Sequence, residues 1–273
     1  MLNAPALIGT HDILFITLDT LRYDVAQEML RQERTPYLAR LLPPQGWEAR
    51  HSPGSFTYAA HQAFFAGFLP TPALPGRHPR LFAARFPGSE TTTQETFVFD
   101  APDIVSGLAA QGYATICIGG VGFFNKQSPL GSALPALFQE SYWSSQLGVT
   151  EPRSTEYQVD LACDILKRLP AQQRLFLFIN ISALHQPNYF YLPGATREAG
   201  DTLASHAAAL AYVDSQLPRL FAAFQRRAPL LAILCSDHGT AYGEDGYFGH
   251  RLAHPVVWTV PYAEVVLPQE EGE

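Results

Sequence analysis

The sequence predicts an α/β fold, a mostly parallel central sheet with helices on both faces, on three observations. Short apolar runs recur along the chain: ILFITL at 13–18, ATICIG at 114–119, LFLFINI at 175–181 and LLAILC at 230–235. Between them lie stretches whose apolar residues are spaced three and four apart, and alternation of this kind implies strands joined by helical crossovers. Hydrophobic residues make up 47% of the 273 and charged residues only 16%, which suits one domain with a large core and not a disordered chain.

In chain order, ILFITL reads as a buried strand that runs into Asp19, and VAQEMLRQE comes next as a helix. In SFTYAAHQAFFAG, Ser55 is placed to cap a short helix that stops at Gly67, with Thr57 in its exposed first turn. Backbone N–H groups at that turn would face an anion. The stretch from Pro70 to Phe97, rich in Pro, Arg and Thr, reads as a long loop or small excursion near the site. DIVSGLAAQG is a helix before the strand ATICIG, and EYQVDLACDILKRL a helix before the strand LFLFINI, which opens into a loop carrying His185. The long helical pattern TLASHAAALAYVDSQLPRLFAAFQRR precedes LLAILC, which ends against Ser-Asp-His-Gly at 236–239. VVWTVPYAEVVL is expected to be a terminal strand, with a short acidic tail, Glu270 to Glu273, after it.

Several classes of function are disfavoured. A formal charge of −7 offers no basic surface for nucleic acid. The N-terminus lacks a basic start and a cleavage-site pattern, and no segment approaches roughly 18 uninterrupted apolar residues, so a cytoplasmic protein without membrane contact is expected. Cys117, Cys163 and Cys235 are odd in number and widely spaced, which argues against a disulfide framework and a cysteine zinc site.

The chemistry-bearing residues gather at strand ends, where ligands sit in a sheet of this type. Asp19, Asp237 and His238, with His185 nearby, make a hard-to-borderline donor set for a divalent ion such as Zn2+ or Mn2+. Ser55 and Thr57 supply hydroxyls at a helix start; a helix cap is the alternative role for either.

Six segments in order, LFITLDTLRYD, TPYLARLL, SFTYAAHQAFFAG, ISALHQPNYF, LAYVDSQLPRL and SDHGTAYGEDGYFGHR, resemble the sulfatase-like branch of the alkaline phosphatase superfamily. The resemblance implies an alkaline-phosphatase-like three-layer sandwich over residues 1–273. It reads the chain as one catalytic domain without the usual C-terminal subdomain, so that selectivity falls to the loops Pro70–Phe97 and Asn125–Pro152 or to a partner subunit. It also implies that Asp19, Thr57, Asp237 and His238 share one metal, with Thr57, ten residues before Gly67, as nucleophile. His185 and His250 match positions that contact the substrate or a second metal. They have no Asp-x-x-x-His partner here, so one tight metal and a catalytic role for both histidines are expected.

Sulfatases of the formylglycine type carry Cys or Ser in a Cys-x-Pro-x-Arg setting. This chain has Thr57, and His61 where the arginine would be. Lys126 falls near the position of an anion-binding lysine, in surroundings that match poorly; Asp214, Asp24 and Arg22 are read as packing, capping or bracing groups, and His206 and His254 as structural. The expected activity is metal-dependent hydrolysis of a small phosphate monoester or diester through a phosphothreonine intermediate. The alternatives are a phosphotransferase of the phosphoethanolamine or phosphoglycerol type, a sulfate-ester hydrolase, and a noncatalytic phosphate-binding module. The sequence leaves the oligomeric state open.

Overall fold

The computed structural model describes residues 2–67 and 103–270; the expected excursion from Pro70 to Phe97 lies outside them, as does the acidic tail beyond Glu270. The strands are β1 (Asp12–Leu18), β2 (Glu48–His51), β3 (Ala114–Ile118), β4 (Glu140–Tyr142), β5 (Leu175–Ile181), β6 (Leu230–Cys235), β7 (Ala241–Tyr242), β8 (Phe248–Gly249) and β9 (Thr259–Leu267). The α-helices are α1 (Tyr23–Arg31), α2 (Pro36–Leu41), α3 (Thr57–Ala66), α4 (Ile104–Ala110), α5 (Pro129–Ala133), α6 (Ser154–Arg168), α7 (Leu203–Gln225) and α8 (Pro255–Trp258).

Seven strands form one sheet in the order β2-β9-β6-β1-β5-β3-β4. From β6 to β4 every pairing is parallel, while β9 runs antiparallel to β6 and β2 antiparallel to β9. Parallel strands need covered faces, and the side-chain alternation of β1 shows how both are covered. Leu14, Ile16 and Leu18 pack into a core with Leu210, Leu217 and Phe221 of α7 and Val159 and Ile165 of α6. Ile13 belongs to a second core on the other face, with Phe176 and Phe178 of β5, Phe65 of α3 and Leu108 of α4.

The four long apolar runs and the four periodic stretches take up the expected strands and helices. The terminal run differs: its first residues close α8, with Pro255 in the first turn and His254 accepting from Val256 N–H, and only from Thr259 does it become a strand. Two edge strands escaped the sequence reading. β2 is four exposed residues and β4 three half-buried ones, too short and too wet to show a period.

Asp214 of α7 is a capping group. Its carboxylate accepts from the backbone N–H of Tyr37 (3.1 Å) and Leu38 (2.7 Å), the orphan donors at the start of α2. Thr35, at the N-cap, makes no side-chain cap bond there. Asp214→Ala should therefore lose about 1–2 kcal/mol in a denaturant titration, the usual cost of an absent cap.

Candidate active site

The ends of β1, β5, β6 and β3 lie on one edge of the sheet, and the site is built from the residues just beyond them. Asp19 is the first residue past β1. The next, Thr20, sits in the left-handed region at φ 65, a costly conformation for a β-branched residue. Two bonds hold it there: its N–H donates to Asp237 Oδ1 (3.2 Å) and its hydroxyl to the Leu184 carbonyl (3.0 Å). Past β6, Gly239 is forced by close approach, since a Cβ at that position would lie 1.9 Å from the Val256 carbonyl oxygen. The Gly239 carbonyl accepts from His238 Nδ1–H (2.9 Å), which leaves Nε2 unprotonated, with a lone pair.

That lone pair faces two carboxylates. One ligand atom from each of Asp19, Asp237 and His238 lies within 4.8 Å of the others, and all three residues are buried. His238 Nε2 is 3.5 Å from Asp237 Oδ2 and 4.0 Å from Asp19 Oδ1, and neither oxygen has a hydrogen-bond partner among the described residues. Burial, with repulsion from Asp237 second, raises Asp19 to about 6; burial raises Asp237 to about 7. Buried carboxylate oxygens turned on one point, each without a donor, fit a divalent ion, and the O, O, N donor set suits Zn2+ or Mn2+. Among the described residues this is the one such cluster of three or more His, Cys, Asp or Glu side chains.

Thr57 opens α3 and meets the same cluster. Its buried Oγ1 stands 3.4 Å from Asp19 Oδ2 and 3.4 Å from His238 Nε2. Ser55 does not cap the helix as the sequence suggested. The N-cap is Phe56, without a side-chain bond, and Ser55 instead offers its carbonyl to Arg251 N–H (2.8 Å), which ties the His250 loop to the start of α3.

Three polar residues of the site escaped the sequence reading or entered it only as a departure. Asn180 Nδ2 donates to Asp19 Oδ2 (3.1 Å) and Thr17 Oγ1 (3.2 Å), while its Oδ1 accepts from Val121 N–H (3.0 Å). His61 bridges Thr57 and Thr17. The signal was present: Thr17 and Asn180 are the polar members of ILFITL and LFLFINI, and a polar residue inside a buried strand must find a partner.

A cleft of about 390 Å3 is lined by Thr57 together with His185, His250, Arg251, Phe123 and Leu130. The His250 ring centroid lies 4.6 Å from that of His238 and 5.7 Å from that of His185. His185 Nδ1 is engaged by the Gln186 carbonyl (2.6 Å), and His250 Nδ1 has no partner among the described residues. Burial, then His238 and His185, lowers His250 to about 3, which favours the neutral ring.

Lys126 is not among the residues lining this cleft; its Nζ donates to the Ser141 carbonyl (3.0 Å). Arg22, buried, pairs with Asp24 and Glu244 and so braces the loop after β1 against the turn between β7 and β8. His206 bonds Tyr242 Oη (3.1 Å) in the interior.

The family model described as Sulfatase matches residues 11–262. No curated protein matches the sequence. Solved structures similar in fold include the C-terminal periplasmic domain of EcEptC from Escherichia coli in complex with Zn, at TM-score 0.64 and 14% identity over 94% of this chain and 73% of that one. The lipoteichoic acid synthase LtaP from Listeria monocytogenes gives TM-score 0.64 at 16% identity, over 98% of this chain and 67% of that one. The putative sulfatase yidJ from Bacteroides fragilis gives 0.62 at 16%, over 94% and 68%.

The raised carboxylates set the sign of a metal-linked stability change. Each folded-state value lies above the ordinary aspartate value of 3.8, so the stability of the metal-free fold is full below about pH 3.8, is lost as pH rises from there through about 6 and about 7, and only above those values do protons cease to compete with a metal for both carboxylates. Zn2+ or Mn2+ added to chelator-treated protein should therefore raise the melting temperature more at about pH 8 than at about pH 5.5, and Asp237→Asn should blunt the difference.

Proposed function

This chain belongs to the sulfatase family, and on that premise we propose that it is a metal-dependent enzyme that cleaves a small phosphate ester through a covalent intermediate on Thr57. The observation that carries this reading is the position of Thr57 Oγ1, 3.4 Å from both Asp19 Oδ2 and His238 Nε2, on a residue that lines the cleft. Asp19, Asp237 and His238 would hold the ion. When bound, it supplies a Lewis acid that stabilises an alkoxide, as it lowers the pKa of bound water from about 16 to about 7, and offsets charge on the phosphoryl oxygens.

Thr57 Oγ1 loses its proton to solvent water and bonds to phosphorus, and the bond from phosphorus to the leaving oxygen breaks. The leaving oxygen takes a proton from an imidazole of His185 or His250 at the cleft wall. For His250 this requires the charge of the bound ester, because the ring alone is held neutral. Water then attacks the phosphorus of phospho-Thr57 and gives a proton to the imidazole, while the bond from phosphorus to Oγ1 breaks and Oγ1 takes a proton from solvent. Arg251, the cation on the cleft wall, is available to the non-bridging oxygens.

His61 occupies the place of the arginine in the formylglycine pattern and Thr57 that of the convertible Cys or Ser, which favours phosphate over sulfate esters. A phosphoryl transferase, in which an alcohol replaces water in the last step, is the second reading, because the fold is shared with the periplasmic domain of phosphoethanolamine transferase EptC from Campylobacter jejuni. Label from a radioactive phosphate ester recovered on an added alcohol would identify transfer, and label recovered as phosphate would identify hydrolysis.

Thr57→Ala should abolish turnover of p-nitrophenyl phosphate and bis(p-nitrophenyl) phosphate yet keep one tightly bound metal per chain, since three protein ligands survive. His185→Ala and His250→Ala should each lower kcat by about 10² to 10⁴, the range of general acid–base assistance, with metal content unchanged. Two metals in the wild type falling to one in either histidine variant would instead identify a two-metal site.

A further inference from the structure

His61 is fully buried, lies one helical turn beyond Thr57, and takes no part in the proposed reaction. We propose that His61 is a positioning residue that fixes the Thr57 nucleophile, closing a ring of hydrogen bonds that grips Thr57 at both its backbone and its hydroxyl. The proposal rests on Thr57 being the attacking group.

The ring can be followed atom by atom. His61 Nδ1–H donates to the Thr57 carbonyl (2.7 Å), and His61 Nε2 accepts from Thr17 Oγ1–H (3.0 Å). Thr17 Oγ1 accepts from Asn180 Nδ2 (3.2 Å), whose amide also donates to Asp19 Oδ2 (3.1 Å). The same Asp19 oxygen faces Thr57 Oγ1 at 3.4 Å, which returns the path to its start. Every donor meets an acceptor only if His61 carries its proton on Nδ1, because the Thr57 carbonyl can only accept.

The surroundings enforce that state. Phe64, Phe65, Phe124 and Phe178 surround the imidazole with ring centroids 5.2–6.0 Å away. His61 Nδ1 lies 2.7 Å from the Thr57 carbonyl but 3.8 Å from Asp237 Oδ2, so its hydrogen goes to the carbonyl and not to the acid. An arginine at the same position would bring a fixed charge and a longer side chain into an apolar cage. The neutral ring instead gives a rigid link between α3, which carries the nucleophile, and β1, which leads into the acid beside it. Small displacements of a reacting atom matter: about 1 Å costs on the order of 10²-fold in rate.

Three variants separate positioning from packing. His61→Phe fills the aromatic cage without the ring's polar atoms; His61→Asn keeps an amide donor near Nδ1 but leaves a void; Thr17→Val keeps the shape and removes the hydroxyl that joins His61 to Asn180. With the two nitrophenyl esters, His61→Phe and Thr17→Val should lower kcat by about 10- to 100-fold at unchanged KM and metal content. The Thr17→Val/His61→Phe double variant should be no worse than the poorer single. His61→Asn should be the more active His61 variant although it melts lower than His61→Phe. Long-range proton–nitrogen NMR of the wild type should show one neutral Nδ1–H tautomer.

Wild-type kcat in His61→Phe alongside an inactive Thr57→Ala would overturn the positioning role and leave the nucleophile standing. So would kcat that simply follows melting temperature across the variants, or an Nε2–H tautomer. Activity in Thr57→Ala would remove the nucleophile, and the positioning role with it.

Discussion

Two carboxylates, Asp19 and Asp237, are buried side by side, and each keeps one oxygen without a hydrogen-bond partner among the described residues. Uncompensated, such a pair is among the more costly arrangements a fold can hold. Much of the site's construction secures their placement. Thr20 adopts a left-handed conformation so that its N–H can reach Asp237, and Asn180 directs one amide hydrogen to Asp19. His238 turns its Nδ1–H away to the backbone, so that a lone pair and not a proton faces the acids. A buried site with two carboxylate oxygens and one imidazole nitrogen has the character of a cation site.

The sheet makes this arrangement possible in a chain of modest size. Parallel order places the ends of β1, β5 and β6 on one edge, and the register sets Thr17 beside both Asn180 and Cys235. Asp19 and Asp237 then emerge two residues past paired positions on adjacent strands. The helix α3 brings Thr57 to them from the other direction, tied to the strand through His61 and to the His250 loop through Ser55 and Arg251. The two apolar cores keep the strands in register, so the site inherits its precision from packing some distance away.

Much of this was legible in the sequence because the strongest signals coincide. Long apolar runs that stop at Asp19 and at Asp237-His238 point to strand and site together, whereas Thr57 stands out only through the family resemblance, which places the nucleophile ten residues before Gly67. The features that could not be read fall into two kinds. The edge strands β2 and β4 are too short to carry a period, and Pro255 to Trp258 is apolar enough to pass for strand although Pro255 and His254 start a helical turn there. The second kind is polar partnership. Nothing in the spacing of Thr17, His61 and Asn180 announces that they share one network, because residues 44 and more positions apart are joined only by the register of the sheet. The capping role of Asp214 for α2 is of the same sort, a contact across 176 positions.

The central claim is that Thr57 becomes covalently modified while the substrate is turned over. Rapid acid quenching of the enzyme during turnover of a phosphate ester, with peptide mass spectrometry of the quenched protein, tests it most directly. The predicted result is a phosphoryl group on Thr57, present during turnover and gone once substrate is exhausted. Modification of Ser55 or a histidine in place of Thr57, or steady turnover with Thr57 unmodified at every time point, would contradict it.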